Sequence, residues 1–293
     1  MTCQALTTVH GHVIAASLRL RAAGIPQSEA DLDARLLARE VLGWDAARYL
    51  ASSLEIPPAG FVEHYTALTA RRERREPVAY ILGRQEFWGR SFAVAPGVLI
   101  PRPETELIIE TALGLFPDRL SALRIADVGT GSGCLALTLA AELPAATVTA
   151  TDMSSAAIDI ARGNALALGL ADRVTFAQTD VLSAVDATFD LIVSNPPYVP
   201  EIDTPALQPE VVEYEPGKAL FGGPDGLAVV RRVVNAAAAS LAPSGWLLVE
   251  FGLGQADQVA QLISEAPGLT MVALKRDLQG IPRTAVARMH GGI

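Results

Sequence analysis

From residue 123 onward the chain alternates short apolar runs with helical periods, and that alternation restricts the fold more than any other feature. The strand candidates are Leu123–Val128, Thr147–Thr151, Arg173–Phe176, Asp190–Ser194, Trp246–Phe251, Thr270–Leu274 and Thr284–Ala287. Helical patterns separate the first five, and strands joined by crossover helices form a parallel sheet covered on both faces. Only "RDLQGIP" lies between the last two, so they are expected as an antiparallel hairpin at the sheet edge. The expectation is an α/β fold with a seven-stranded, mostly parallel sheet and an antiparallel edge. Ligands on such sheets lie at the carboxyl ends of the strands.

The preceding residues read differently. Positions 1–76 carry helical spacing, with Leu32, Leu36, Leu37, Val41 and Leu42 in one run and Phe61, Val62, Tyr65 and Leu68 in another. Gly24-Ile25-Pro26 and Pro57-Pro58 break this part into pieces, and "SEAD", Ser28–Asp31, has the form of a capping box opening the second helix. A small helical domain over 1–76 is expected. The mixed-sign run Arg71–Glu76 reads as a solvated helix end. Over 77–103 the period changes to two, with Gly89 placed to turn a hairpin between Trp88 and Phe92, so this stretch is expected as a β-hairpin linker. The sheet domain then occupies 104–293.

Composition narrows the possibilities. Lysines and arginines total 23 against 32 acids in 293 residues, a net charge of −9. That balance argues against a broad grip on nucleic-acid phosphates, and no direct nucleic-acid binding is expected. Cys3 and Cys134 are the only cysteines and cannot form a disulfide framework or a paired-cysteine metal site. His10 and His12 lack a third ligand and are read as part of a frayed terminus, so no metal is expected. With no leader-like segment at Met1–His12 and no apolar run of membrane-spanning length, a soluble cytoplasmic protein is expected, most simply a monomer.

The chemistry-bearing residues sit where the predicted strands end. "IADVGTGSGCLAL" leads from the first strand into a helix; Gly129, Thr130, Gly131, Ser132 and Gly133 form a turn that can approach a ligand closely beside free helix N–H groups. Gly131, Gly133 and Ala136 also satisfy the dinucleotide pattern, so the loop alone does not choose its cofactor. Asp152 ends the second strand, 19 residues after Gly133, where a carboxylate can accept both hydroxyls of a ribose. Asp180 follows the third strand and can either reach an adenine amino group or serve as a helix N-cap. Asp127, just ahead of the glycines, is read as positioning the cofactor, with a loop anchor as the alternative.

The fourth strand stops at "SNPPYVP". Pro196 and Pro197 cannot continue a sheet ladder, and a residue before proline is held extended. The Asn195 side-chain oxygen and the Pro196 carbonyl are two acceptors on a rigid corner, suited to the two hydrogens of an –NH2 group, and Tyr198 offers a stacking face. A dehydrogenase would call for a histidine or lysine to move protons, and none of the four histidines lies near the carboxyl end of any predicted strand. The partner electrophile is therefore read as the sulfonium methyl of S-adenosylmethionine, with S-adenosylhomocysteine as product. "IPRPETE", Ile100–Glu106, starts a helix at Pro103; it reads either as a well-capped helix start or, being more rigid than a cap requires, as a site lining through Arg102, Pro103 and Glu104.

These residues resemble the class I S-adenosylmethionine methyltransferases, and within them the HemK/PrmC family. The likeness spans the helical start, the hairpin, "GVLIPRPETE", "DVGTGSG", "SNPPY" and "EYEP" ahead of "GGPDGL". It implies a Rossmann-like methyltransferase domain that methylates the side-chain amide (N5) of the glutamine in the Gly-Gly-Gln motif of class I peptide chain release factors. It also implies that the Gly129–Gly133 loop, Asp152, Asp180, Val181 and Asn195 contact the cofactor, while Asn195, Pro196, Pro197 and Tyr198 hold the glutamine. Some members carry a bulky aromatic where Val181 stands. The 28 residues from Val199 to Gly226 are long for a strand-to-helix connection and fit a substrate-reading loop whose acids Glu210, Glu213 and Glu215 could meet a basic partner. Three alternatives remain open on sequence: a glutamine methyltransferase of a large-subunit ribosomal protein, a DNA or RNA exocyclic-amine methyltransferase, and a non-catalytic scaffold.

Overall fold

The computed structural model describes residues 7–291, so Cys3 and the first residues of the Met1–His12 segment lie outside the described residues. The chain separates into two compact units. One comprises the chain up to Gly83 together with Gln208–Tyr214; the other comprises Arg84–Leu207 and everything from Glu215.

The first unit is helical: α1 (Val9–Ala22), α2 (Gln27–Leu42), α3 (Ala46–Ser52), α4 (Phe61–Glu73) and α5 (Val78–Leu82). Thr8 caps α1 by accepting from the Gly11 N–H at 3.1 Å, and Asp45 caps α3 by accepting from Arg48 at 2.7 Å. The apolar periodicity closes on one core built from Val13, Leu20, Ala34, Leu37, Phe61 and Tyr65. His10 and His12 belong to α1 and are not frayed; the His12 ring meets Phe61 edge-on. The Ser28–Asp31 stretch does not cap α2, which begins at Gln27 behind Pro26 with no side-chain cap.

The run Arg71–Glu76 is not a solvated face. Arg72 is buried and donates to Asp33 at 2.7 Å and to Glu210 at 2.9 Å, while Arg75 pairs with the same Glu210 carboxylate. Glu210 sits in the short helix α9 (Pro209–Tyr214), and Tyr214 donates from its hydroxyl to the Arg74 carbonyl at 2.7 Å. Sequence pattern could not show this, because a charge pairs in the interior only with a partner that the fold brings from 138 residues away. Burial alone would raise the Glu210 pKa, but donors from its own backbone, Arg72 and Arg75 hold it below the ordinary carboxylate range.

The second unit opens with a hairpin, β1 (Arg84–Phe87) and β2 (Arg90–Ala93), turned through Trp88 and Gly89, both at positive φ. A 3-10 turn, Pro103–Thr105, leads into α6 (Glu106–Leu115). There follow β3 (Arg124–Val128), α7 (Cys134–Glu142), β4 (Thr147–Asp152), α8 (Ser155–Ala167), β5 (Val174–Gln178) and β6 (Phe189–Ser194). A second 3-10 turn at Glu201–Ala206 precedes α9 and is followed by α10 (Gly217–Leu220), α11 (Ala228–Ser240), β7 (Leu241–Glu250), α12 (Ala256–Glu265), β8 (Leu269–Arg276) and β9 (Pro282–Met289).

The large sheet has the order β5-β4-β3-β6-β7-β9-β8. The first five are parallel, β9 runs antiparallel to β7, and β8 pairs antiparallel with β9, as the alternation implied. One expectation fails: no helix separates β5 from β6, where Thr179–Thr188 holds only turns. The apolar spacing there, around Val181, Leu182 and Val185, belongs to residues packed against the core from a turn. Successive strand residues point to opposite faces, so Leu191 and Val193 join α6, α7 and α8 in one core while Ile192 joins α11 and α12 in the other.

Candidate active site

The strand order reverses between β3 and β6, since β4 and β5 extend to one side of β3 and the chain returns on the other. Crevices in open α/β sheets form at that reversal, beyond the carboxyl ends. In register, Val128 pairs with Ser194 and Ser194 with Val249, so the next residues, Gly129, Asn195 and Glu250, leave three adjacent strands side by side. Adjacent strands stand about 4.8 Å apart. The Ser194 hydroxyl, donating to the Val128 carbonyl at 2.7 Å, ties the first two exits together.

On the β3 side the glycine loop is held from below. Asp127 is fully buried; its Oδ2 accepts from the Thr130 hydroxyl at 2.7 Å and the Ala136 N–H at 3.1 Å. Burial pushes its pKa up to about 7 even against those two donors. Asp127 thus acts as the loop anchor in this structure, with Oδ1 buried and without a hydrogen-bond partner among the described residues. Gly131 is at φ +55, and a Cβ added there, or at Gly129, would meet nothing within 4 Å. Those two positions face open space, while a Cβ at Gly133 would come 3.2 Å from Ala161 of α8. The turn is a cradle backed by close helix packing, which is what a nucleotide-type cofactor requires. Asp152 Oδ2 accepts from the Gly131 N–H and Oδ1 from the Ser154 N–H, both at 2.9 Å, leaving further lone pairs for ribose hydroxyls.

Asp180 pairs with Arg232 of α11, and no helix follows it, so it is not an N-cap. Val181 adopts φ +52, a left-handed conformation that a β-branched side chain takes only when its surroundings impose it. Strain of that kind clusters at ligand-binding sites.

On the β6 side Asn195 Nδ2 donates to the Thr105 hydroxyl at 2.9 Å, and its Oδ1 is buried with no hydrogen-bond partner among the described residues. No hydrogen bond among the described residues ends on the Pro196 carbonyl. Buried acceptors are nearly always satisfied, so an orphan at a strand end calls for an explanation. Tyr198 donates to Glu250 at 3.1 Å, and burial with the adjacent Glu250 charge raises its pKa. The long connection returns on this corner: Val199 bridges Phe221. A Cβ on Gly222 would lie 2.6 Å from the Pro197 carbonyl, and one on Gly226 would lie 2.2 Å from that of Tyr198. Only glycine lets "GGPDG" wrap the Asn-Pro-Pro-Tyr backbone so closely. Gln255 completes the wrap by donating to the Tyr198 carbonyl at 2.9 Å.

Arg102 pairs with Glu215, which also accepts from the Ile100 N–H at 3.0 Å. Pro103 starts the turn between Arg102 and Glu104, just ahead of Thr105, whose hydroxyl accepts from Asn195. Glu210 and Glu215 are buried and paired with Arg72, Arg75 and Arg102; of the three loop acids only Glu213 is exposed. His290 does follow the end of β9, but β9 is antiparallel, so that end lies at the opposite edge of the sheet from Asn195.

Sequence reading missed Thr105, Glu250 and Gln255. The signal for Glu250 was there: a lone acid in the apolar run "WLLVEF", which a buried strand carries only at a cost.

Comparison with known proteins decides the family. Residues 13–83 match the PrmC N-terminal domain model and residues 105–213 the methyltransferase small domain model. A release factor glutamine methyltransferase of Bradyrhizobium diazoefficiens is 44% identical over 272 residues, covering 92% of this chain and 91% of the relative. The chain belongs to the release factor glutamine methyltransferase family. A second member, from Rhodospirillum rubrum, is 44% identical over 270 residues, covering 92% of this chain and 82% of its own. The fold is that of class I methyltransferases. A 16S rRNA methyltransferase of T. thermophilus, solved with AdoMet and guanosine, superposes with a TM-score of 0.50 at 22% identity, covering 71% of this chain and 50% of that one. Membership makes the chain an S-adenosylmethionine-dependent enzyme, and the cradle and Asp152 fit that cofactor. No helix among the described residues is long and apolar enough to cross a membrane.

Proposed function

We propose that this protein transfers a methyl group from S-adenosylmethionine to the side-chain amide nitrogen of the glutamine in the Gly-Gly-Gln motif of class I peptide chain release factors, in the cytoplasm. The observation that carries the reading is the Asn195 Oδ1, without a hydrogen-bond partner among the described residues, on a proline-stiffened corner beside the glycine cradle. The cofactor, when bound, supplies an alkyl sulfonium whose methyl is a strong electrophile. The Gly129–Gly133 turn and Asp152 would hold its polar parts, and the Asp180–Val181 corner its adenine.

Asn195 Oδ1 and the Pro196 carbonyl accept the two N–H bonds of the glutamine amide, which fixes the nitrogen and stabilises the positive charge that grows on it. Tyr198 offers a flat face to the planar amide. An amide nitrogen is a poor nucleophile, so orientation against a neighbouring electrophile supplies much of the rate. No strong base is required, because the methylated amide cation loses its proton readily. Oδ1 is shielded from solvent in the arrangement seen here, so the glutamine reaches it by displacing the groups that cover it.

Incubation with methyl-labelled S-adenosylmethionine and, separately, release factor, a ribosomal large-subunit protein and DNA tests this. Label is expected on release factor and is lost when its Gly-Gly-Gln glutamine is replaced. Label on the ribosomal protein or on DNA in place of release factor overturns the reading.

A further inference from the structure

Gln255 is buried, 6% exposed, and stands as the N-cap of α12 without capping it through its side chain. Its carboxamide turns instead to three other backbone groups. Oε1 accepts from the Gly252 N–H at 2.8 Å, while Nε2 donates to the Tyr198 carbonyl at 2.9 Å and lies 3.4 Å from the Asp225 carbonyl. A primary amide has two N–H donors at one end and an acceptor at the other, so these partners use both ends and admit one orientation. The side chain thereby joins the exit of β6, the exit of β7 and the "GGPDG" turn. Glycines make the room: a Cβ on Gly226 would lie 2.6 Å from Nε2, and one on Gly252 would lie 3.0 Å from Oε1 and 3.1 Å from Tyr198 Cδ2.

The Asn-Pro-Pro-Tyr corner needs such an outside tie, because Pro196 and Pro197 have no N–H with which to bond a neighbour. Tyr198 is held at two ends. Its hydroxyl donates to Glu250 Oε1 at 3.1 Å, and its carbonyl accepts from Gln255. Glu250 ends β7 and Gly252 lies two residues beyond, so both ties run to the same strand exit. A ring fixed at its hydroxyl and at its backbone keeps one tilt.

We propose that Gln255 is a positioning residue for methyl transfer, tying the Tyr198 carbonyl to the exit of β7 and so setting the Tyr198 face and the Pro196 carbonyl against the substrate amide; this rests on the glutamine-amide reading above. Gln255 acts through Tyr198 rather than on the substrate. Only stiff Pro197 separates the tied residue from Pro196, so a swing at Tyr198 carries to the Pro196 carbonyl. Without the tie the ring can still stack and the substrate still binds, but the amide nitrogen loses its alignment with the methyl group. Orientation supplies rate, and the acceptors matter most where positive charge grows in the transition state. The loss therefore falls on kcat and not on KM.

The test uses the full chain with S-adenosylmethionine and a release factor, reading kcat and KM at a temperature where melting curves show each variant folded, with cofactor affinity measured by calorimetry. Gln255→Met keeps the length and bulk but none of the three contacts, and should lower kcat about 10- to 100-fold with KM and cofactor affinity within about twofold. Gln255→Glu adds a rescue. Ionised, its carboxylate sets an acceptor against the Tyr198 carbonyl; protonated, it has one O–H to donate there, and burial favours protonation. Its kcat relative to wild type should therefore rise as the pH is lowered from about 9 to about 6. The titratable groups on the three joined segments are Tyr198, Glu250 and Asp225, the last paired with Arg231, and the ratio to wild type at each pH removes their shared effect. Wild-type kcat in Gln255→Met, a loss confined to KM or cofactor affinity, or a Gln255→Glu ratio that does not rise with acid overturns the proposal. If Gln255→Met does not fold, the Gln255→Glu profile decides alone. A wild-type enzyme that leaves release factor unlabelled overturns the functional reading instead, which keeps the two failures distinct.

Discussion

Arg72 Nη2 lies 2.9 Å from Glu210 Oε1 in the interior of the helical unit, with side chains 4% and 8% exposed and 138 residues between them. Asp33 takes the other side of the guanidinium at 2.7 Å. Residues Gln208–Tyr214, drawn from the connection between β6 and α11, are thereby part of a unit otherwise built from the first 83 residues. Buried ion pairs contribute little net stability when intact but cost heavily when half is removed, because the survivor is left charged in a poor solvent.

Arg72→Ala should therefore destabilise the protein by about 3–5 kcal/mol, since buried Asp33 loses its cation and Glu210 is left with Arg75 alone. Urea denaturation followed by far-UV circular dichroism measures this. A loss below about 1 kcal/mol, typical of exposed pairs, would show that the network is open to water.

Asn195→Ala removes the acceptor aligned for the amide and should lower kcat by about 10²–10³. Its melting temperature should fall only slightly, because Oδ1 has no hydrogen-bond partner among the described residues and the bond lost is that of Nδ2 to Thr105. Near-normal turnover would contradict the assigned role.

Gly226→Ala tests the wrap around the corner. At φ +73 its Cβ would sit 2.2 Å from the Tyr198 carbonyl and 2.6 Å from the Gln255 amide nitrogen, and the first of these is backbone that cannot swing aside. Both strain and displacement follow, at a cost of about 1–3 kcal/mol. Turnover should fall further than thermal stability alone explains, read as lost kcat at a temperature where the variant is fully folded.

The pH dependence of stability follows from two buried acids. Asp127 and Glu250 are both pushed up to about 7 by burial, from ordinary values near 4. Between those limits the unfolded chain has released protons that the folded chain keeps, so stability is full at low pH and falls as pH rises toward 7. Each group contributes a slope of at most about 1.4 kcal/mol per pH unit. Asp127→Asn should flatten its share in denaturation curves at pH 5 and 7.5; an unchanged difference would locate the effect elsewhere.

The sequence by itself determined the sheet, the glycine turn and the Asn-Pro-Pro-Tyr corner, because each rests on local causes. Alternating apolar runs, glycine's access to positive φ and proline's missing N–H act within a few residues and need no distant partner. Even the adjacency of Gly129 and Asn195 could be anticipated, since ligands gather where strand order reverses. Tertiary structure alone decided which charges go inside. Arg72, Glu210 and Glu215 read as surface residues because charge in a sequence carries no label for burial; each is buried against a partner more than 100 residues away. The contacts of Asn195 with Thr105 and of Tyr198 with Glu250 are of the same kind, since only folding brings a helix-start turn, a strand exit and a strand end together.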